Sequence, residues 1–373
     1  MANQYPCGKT KSFISRRDLL VRASCGFGAV ALAALSRDSA FGGLLLRDER
    51  MSGPLAPRPP HFAPKVKRIV YLYMDGGPSQ VDTFDPKPLL TKENGQPFKM
   101  KMEPTQFNNR GNTLGSPWKF NNYGECGTPI SDLFPNIAKH ADKLCVIRSM
   151  FSNFSEHTNA NYFLHTGNGF QGRPSMGAWI CYGLGSENQD LPGFVVLNGG
   201  LIPPGGLDCF NSGFLPASYQ GSVFNPGDRP LANIRRNESS EAIQKNKLNL
   251  LAQLDAVNMA RTGNNDQVES AIANYELAFR MQSTVPEIAD IQNESEATRE
   301  SYGLNSTNEP TRIYGRQCLL ARRLLEQGVR FIELTCPGVG HDRRFDLSGL
   351  QRAANRRSRR CSGLSRLFRG ILR

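Results

Sequence analysis

The run IVYLYMDGGPSQ, residues 69–80, joins an apolar segment to a glycine turn and indicates the fold class. Residues 69–74 are apolar almost throughout, which is typical of a strand buried on both faces of a parallel sheet. The sequence Asp75-Gly76-Gly77 then predicts a turn. Pro78 suits the first turn of a following helix, because proline lacks the backbone N–H that this turn leaves unpaired.

A second signal for the same fold lies between residues 311 and 334. A helix is predicted over 311–327, with Gly328 just after its end, and the run VRFIEL at 329–334 predicts a buried strand. Residues 194–197 predict another short strand. Strands that alternate with helices predict an α/β fold with a largely parallel sheet flanked by helices.

The chain from residue 91 to residue 148 is predicted to connect the first strand to a neighbour. The pattern predicts a loop over 91–130, a helix over 130–140 and a buried strand over 144–148. These segments would form a strand–loop–helix–strand unit of a parallel sheet. Two amphipathic helices are predicted after residue 240, and Leu250 and Leu254 mark the apolar face of the first.

The opening run also suggests a binding site. Asp75 stands at the carboxyl end of the first strand, where open α/β sheets bind ligands. Ser79 would lie at the N-terminus of the next helix, where free N–H groups and the helix dipole favour an anion such as sulfate or phosphate. A well-built turn requires similar residues, and Asp82 and Asp85 could serve only as caps. The residues alone leave both interpretations open.

Two further polar clusters contain three of the five histidines. His157 and His165 lie in the Asn-rich run at 155–175, and their spacing of eight places them on one helix face. His341 and Asp342 follow the strand at 329–334. Imidazoles and carboxylates bind divalent metals, and a structural role is the alternative for each histidine. The candidate metal ligands are Asp75, His157, His165 and Asp342.

Motifs for organic cofactors are weak. The stretch at 71–88 matches neither the G-x-G-x-x-G fingerprint nor a P-loop, so we expect no cofactor-binding residues of those kinds. The Cys residues form no C-x-x-C pair, which argues against a zinc ribbon.

The N-terminus predicts export. Residues 1–45 contain Arg16-Arg17 followed by an apolar segment at about 23–35, which resembles a twin-arginine signal and is too short to span a bilayer. A Pro-rich linker is predicted over 46–66, and the main domain over 67–342. We therefore expect a periplasmic or cell-envelope protein with no transmembrane segment in its mature chain.

The positive charge is concentrated at the C-terminus. Residues 343–373 hold ten Arg and one acid, Asp346, and so carry +9 of the net +12. The remainder is nearly neutral, so we expect no nucleic-acid partner for the domain. The Arg-rich segment is predicted to be a disordered tail. Three origins stay open for it: an RNA-binding arm, a membrane-surface helix, or a disrupted reading frame.

Several long runs resemble an exported bacterial family, domain-of-unknown-function family 1501. They include PPHFAPKVKRIVYLYMDGGPSQVDTFDPKP, HTNANYFLHTGNGFQGRPSMGAWICYGLGSENQDLPGFVVL and YGRQCLLARRLLEQGVRFIELTCPGVGHD. The resemblance spans about residues 54–342. It implies a fold like that of sulfatases and alkaline phosphatases, with metal-assisted hydrolysis of a small-molecule or polysaccharide sulfate or phosphate ester. By the same resemblance, Asp75 is a metal ligand and Ser79 a nucleophile.

One departure from the family qualifies this prediction. Family members continue past the GHD motif with GEFGRTP and DHN motifs, and neither occurs in this sequence. The resemblance therefore implies an N-terminal portion, truncated and short of some ligands, which could be inactive. The alternative function is a non-catalytic cell-envelope or ligand-binding protein of the same family.

Overall fold

A computed structural model describes residues 53–74, 77–100, 111–200, 203–225, 230, 231, 234, 236–262 and 266–337. The predicted signal segment at 1–45 and the Arg-rich segment at 343–373 lie outside these residues. The strands are β1 (Ile69–Leu72), β2 (Phe120–Tyr123), β3 (Thr128–Ser131), β4 (Phe194–Leu197), β5 (Ser222–Phe224) and β6 (Phe331–Leu334). The α-helices are α1 (Gln80–Thr83), α2 (Pro88–Lys92), α3 (His157–Thr166), α4 (Met176–Leu184), α5 (Glu241–Thr262), α6 (Asp266–Ala289), α7 (Glu296–Ser301) and α8 (Glu309–Glu326).

A four-stranded parallel sheet organises the chain, in the order β1-β6-β4-β5. The central strands β4 and β6 are buried at every position, as their apolar sequences require. Leu72 of β1 and Leu197 of β4 both lie opposite Leu334 of β6, so the three strands end at one level. The predicted α/β fold with a parallel sheet flanked by helices is confirmed.

Helix α8 is followed directly by strand β6, as predicted. The Asn308 side chain accepts a hydrogen bond from the Thr311 N–H at 3.1 Å and caps the helix. Gly328 follows the helix with φ of +88°, a backbone conformation that favours glycine. The face of α8 that includes Cys318, Leu319 and Leu324 is buried in the main apolar core beside the sheet.

The segment from residue 91 to residue 140 differs from its prediction. The antiparallel hairpin β2–β3 lies within the predicted loop. The predicted helix over 130–140 is wrong: residue 130 belongs to β3, and a 3-10 helix follows at Ala138–Lys143. Pro135 explains this, because it lacks an N–H and disfavours helical geometry in the residue before it. The apolar side chains of the predicted face, among them Ile130, Phe134 and Ile137, nevertheless pack together in a second cluster.

The predicted strand at 144–148 is also wrong. Residues 144–148 form no strand, and Ile147 is 61% exposed. The neighbour of β1 is β6, about 260 residues later in the chain. As the sheet has β1 at its edge, Ile69 is 37% exposed, whereas burial on both faces was expected. A short apolar run does not by itself specify which strand it pairs with, or whether it pairs at all.

Outside these regions the chain forms further short elements and two long helices. The 3-10 helices Gly206–Phe210 and Ala217–Tyr219 and strand β5 lie between β4 and α5. The predicted helices after residue 240 form as α5 and α6, but Leu250 and Leu254 of α5 are exposed. Within the described part of the chain, no helix combines the length and hydropathy needed to cross a membrane.

Candidate active-site edge

The carboxyl ends of three strands form one edge of the sheet. The Tyr73 N–H, just after β1, donates to the Leu334 carbonyl at 3.1 Å. The Thr335 N–H, just after β6, donates to the Leu197 carbonyl at 3.1 Å, and the Gly199 N–H donates to the Thr335 Oγ1 at 2.9 Å. The segments that leave β1, β6 and β4 are therefore bonded side by side. In open parallel sheets this is the edge at which ligands bind.

A buried pair, His165 and Glu333, lies just below this edge. Glu333 occupies the third position of β6 and is 2% exposed, and His165 of α3 is 3% exposed. The distance from His165 Nε2 to Glu333 Oε1 is 2.8 Å. His165 Nδ1 lies 2.8 Å from the backbone carbonyl oxygen of Asn161. Both ring nitrogens of His165 are thus engaged within the protein.

The hydrogen bonds define the protonation of this pair. A carbonyl oxygen can only accept, so Nδ1 of His165 carries a proton. The Nε2–Oε1 contact needs one more proton, which the imidazole and the carboxyl group of Glu333 share. Burial lowers the pKa of His165, but hydrogen bonds to Cys209 and Glu333 and the charge of Glu333 raise it to about 10. Burial raises the pKa of Glu333, and the hydrogen bond and charge of His165 oppose this rise.

Aromatic rings enclose the pair. The ring centroids of Tyr73, Phe210 and Tyr71 lie 4.9, 5.7 and 6.0 Å from that of His165. Burial, followed by the nearby charge of Glu333, raises the pKa of Tyr71 well above its ordinary value. These rings exclude water and strengthen the interaction between the two polar side chains.

Helix α3 extends from this pair toward the sheet edge. Tyr73 donates its hydroxyl hydrogen bond to Asn161 Oδ1, and Asn161 Nδ2 donates to the His157 carbonyl at 2.8 Å. His165 contacts Tyr71 and Tyr73, whereas Asn161, one turn earlier, bonds the hydroxyl of Tyr73. Another turn separates Asn161 from His157, a rise of about 6 Å. Because the contacts of α3 move from the middle of the sheet strands to the segment after β1, the N-terminal end of α3 points toward the carboxyl edge. The exposed His157 lies at this end of the helix.

Ser79 is exposed just before α1, in the segment that follows β1. Its hydroxyl donates to Asp82 Oδ2 at 2.8 Å, and its backbone carbonyl accepts from the Thr83 hydroxyl at 2.7 Å. Its side chain accepts no capping hydrogen bond from the helix N–H groups. The Ser79 hydroxyl is therefore paired with a carboxylate that can accept its proton.

The structure separates the predicted site residues into groups. His165 is buried and Ser79 and His157 are exposed, while Asp75 and Asp342 lie outside the described residues. Among the described residues, no three His, Cys, Asp or Glu side chains lie close enough to hold a metal ion. The described residues alone therefore do not supply a metal site, and the assignments of metal ligands stay predictions.

Sequence reasoning missed Glu333 and Tyr73, and it noted Asn161 only as part of the Asn-rich run at 155–175. A signal existed for Glu333, since it is the one charged residue in the strand FIEL and such a residue needs a partner when buried. Tyr73 and Asn161 carry no such signal, because their contact joins residues 88 positions apart.

Comparison with known proteins identifies the family. A search of curated proteins found no match, and a search of solved structures also found none. The family model described as "Protein of unknown function (DUF1501)" matches residues 66–360. The match includes every strand of the parallel sheet and extends past Asp342 to residue 360. Because it spans well over half of the 373 residues, the chain belongs to the DUF1501 family.

Proposed function

We propose that the protein is a sulfatase-like hydrolase that cleaves sulfate or phosphate esters at the carboxyl edge of its sheet. The observation that carries this proposal is the parallel pairing of β1 with β6, in which Leu72 lies opposite Leu334. The segments that contain Asp75 and Asp342 follow these two strands in the sequence. Two strands far apart in the chain therefore end at one edge of the sheet, and this edge is where we propose that the ester group binds.

Ser79 is the proposed nucleophile and Asp82 its proton acceptor. The Ser79 oxygen would attack the sulfur or phosphorus atom while its proton passes to Asp82, which already accepts its hydrogen bond at 2.8 Å. The bond to the ester oxygen would break, and the alkoxide would leave as the alcohol with a proton from water. The hydroxide so formed would take the proton held by Asp82 and restore its carboxylate. A second water would then cleave the serine ester and release sulfate or phosphate.

A divalent metal is part of the proposal. His165 does not suit a ligand role, because both of its ring nitrogens are engaged in the protein. The exposed His157, together with Asp75 and Asp342, has the donor chemistry that would hold such an ion. A bound divalent ion would withdraw charge from the ester oxygens. In this arrangement His165 and Glu333 position α3 and do not contact the substrate.

The second candidate is a cell-envelope protein that binds an oxyanion without turnover. Ser79 and Asp82 are three residues apart at the start of a helix, and such a pair also occurs where a helix begins. We also propose export by the twin-arginine pathway to the periplasm or cell envelope. Comparing the processed N-terminus of the wild type with that of an Arg16→Lys, Arg17→Lys variant in the membrane-free periplasmic fraction tests export.

An ester assay separates the two functions. The full chain is incubated with p-nitrophenyl phosphate and p-nitrocatechol sulfate, with Mn²⁺, Zn²⁺ or Ca²⁺ or with a chelator. We expect metal-dependent turnover that Ser79→Ala lowers by about a hundredfold or more, with Ser283→Ala, on the exposed side of α6, as the matched control. Absence of turnover in every metal, with sulfate or phosphate still binding in calorimetry, would support the binding function and refute hydrolysis.

A further inference from the structure

A second cleft lies between two loops that take no part in the proposed site. Gln171 and Gly172, which follow α3, form one wall. Asn211, Gly213 and Phe214, which follow the 3-10 helix Gly206–Phe210, form the other. The open volume is about 530 Å³, within the range of pockets that hold small ligands.

A hydrogen-bonded trio of polar side chains lines the cleft. The carboxylate of Asp208 accepts hydrogen bonds from the side-chain amides of Gln171 and, at 3.4 Å, Asn211. Each amide retains a second N–H, and the Asp208 carboxylate retains further acceptor positions. Paired donors and acceptors of this kind match the adjacent hydroxyl groups of a sugar ring.

The two walls are held together by the backbone. The Ser175 N–H donates to the Asn211 carbonyl at 3.0 Å. Gly213 has φ of +57°, and a Cβ atom there would lie 2.5 Å from the Arg173 carbonyl carbon and the Pro174 nitrogen. The close approach of the loops therefore requires glycine at 213. A cleft fixed in this way loses little conformational freedom when a ligand binds.

A row of partly exposed aromatic rings extends from the cleft. Phe214 is 60% exposed and lies 5.7 Å from Trp179, which is 44% exposed. Trp179 lies 6.0 Å from Tyr182, which is 42% exposed, and Tyr182 lies 5.4 Å from the buried Tyr219. The guanidinium of Arg58 lies over the rings of Tyr182 and Tyr219, 5.6 and 5.9 Å from their centroids. Phe214 and Trp179 are therefore the rings that offer flat apolar surface to the C–H faces of a sugar.

We infer that this cleft and its aromatic row bind a neutral oligosaccharide. The polar trio recognises hydroxyl groups, and the rings contact the apolar faces of successive sugar units. Charge argues against an anionic ligand here, because Asp208 is acidic and none of the six residues lining the cleft is basic. The inference does not depend on the proposed hydrolase, since none of the residues at the sheet edge lines this cleft.

Tryptophan fluorescence gives a direct test. The chain contains two tryptophans, of which Trp118 is 8% exposed and Trp179 is 44% exposed. A Trp118→Phe background makes Trp179 the reporter, and the full chain is titrated with cellohexaose, maltohexaose, mannohexaose and chitohexaose. We expect at least one to change the Trp179 emission saturably, and the same affinity should be measured by calorimetry on the wild type.

Variants assign the binding to this surface. Asp208→Ala and Phe214→Ala should each weaken binding by about tenfold or more. Tyr275→Ala on α6, which removes a ring that is 74% exposed, should leave binding unchanged. Ser79→Ala should also bind normally, which distinguishes this inference from the proposed hydrolase. Thermal melting of each variant checks that it is folded.

Three results would overturn the inference. The first is the absence of saturable binding to any of the four saccharides up to about 10 mM, a concentration that would detect even weak complexes. The second is binding that Asp208→Ala and Phe214→Ala leave intact. The third is a change of oligomeric state in Phe214→Ala without saccharide binding, which would identify the aromatic row as a protein interface.

Discussion

Replacing Glu333 by glutamine tests the buried pair without changing its shape. In the wild type, the Nε2 of His165 and the carboxyl group of Glu333 share one proton across 2.8 Å. The amide introduced by Glu333→Gln could donate an N–H to the unprotonated Nε2 of a neutral His165, so one hydrogen bond would be kept. We expect Glu333→Gln to lower the free energy of unfolding by about 1 kcal/mol near neutral pH. Glu333→Ala leaves His165 without its partner and should cost about 3 to 5 kcal/mol.

The pH dependence distinguishes a shared proton from simple packing. The folded protein holds the His165 proton up to a pKa of about 10, whereas the ordinary value is 6.5. The stabilisation from this pair is therefore complete below pH 6.5 and declines as the pH rises toward 10. In this range the free energy of unfolding falls by about 1.4 kcal/mol per pH unit. Between pH 7 and pH 9 the wild type should therefore lose about 2 to 3 kcal/mol of stability.

The variant should have the opposite slope in acid. Without the carboxylate, burial favours neutral His165 and lowers its pKa. The Glu333→Gln protein should then be nearly insensitive to pH from 7 to 9 and should lose stability below pH 6. Measurements stop at pH 9, because burial raises the pKa of the Cys181 and Cys318 thiols above their ordinary value of 9.0, which adds a second decline.

Urea unfolding followed by circular dichroism at pH 5, 7, 8 and 9 measures these free energies. Glu300→Gln is the control, since Glu300 is exposed on α7 and should not alter the slope. Parallel pH profiles for the wild type and Glu333→Gln would refute the shared proton. A loss below about 1 kcal/mol in Glu333→Ala would refute the energetic role of the pair.

Three other predictions concern the helices and the proposed metal. Asn308→Ala should lower the free energy of unfolding by about 1 kcal/mol in the same urea assay, because it removes the cap of α8. Gly315→Ala should lower the free energy of unfolding by about 3 kcal/mol, because the new Cβ atom would lie 1.9 Å from the Tyr302 carbonyl oxygen. In the control Gly183→Ala, the new Cβ atom meets open space, so the free energy of unfolding should stay the same or rise by about 1 kcal/mol. Chelation with EDTA should lower the melting temperature of the wild type but not of Asp75→Asn, and equal shifts would argue against Asp75 as a ligand.

The parts of the fold that could be predicted are those specified by local sequence. Strand β4 and helix α8 with its following glycine were predicted from a short apolar run and from cap residues. The hairpin β2–β3 was missed, because its strands are half polar and lie within a Gly- and Asn-rich segment. The pairing of β1 with β6 could not be predicted, because local pattern carries no information on which distant strand becomes the neighbour.

The candidate site was only partly predicted, because its contacts also join residues that are far apart in the chain. His165 was predicted as a metal ligand, but its partner in the structure, Glu333, lies 168 residues away and the helix face alone could not reveal it. Its proposed role as a ligand rested on polar neighbours in the sequence. In the structure the ring faces a carbonyl and a carboxyl group within an aromatic enclosure.

Glu333 connects the stability of the fold with the geometry of the proposed site. A carboxyl group at the centre of a sheet needs a donor, and His165 can supply one only if α3 lies against β1 and β6. The Asn161–Tyr73 hydrogen bond fixes the next turn of α3 in the same orientation. His157 begins the helix one turn further along, so these two buried contacts also fix the direction in which His157 lies. Breaking the His165–Glu333 pair should therefore weaken any activity that uses His157, even though neither member of the pair contacts the substrate.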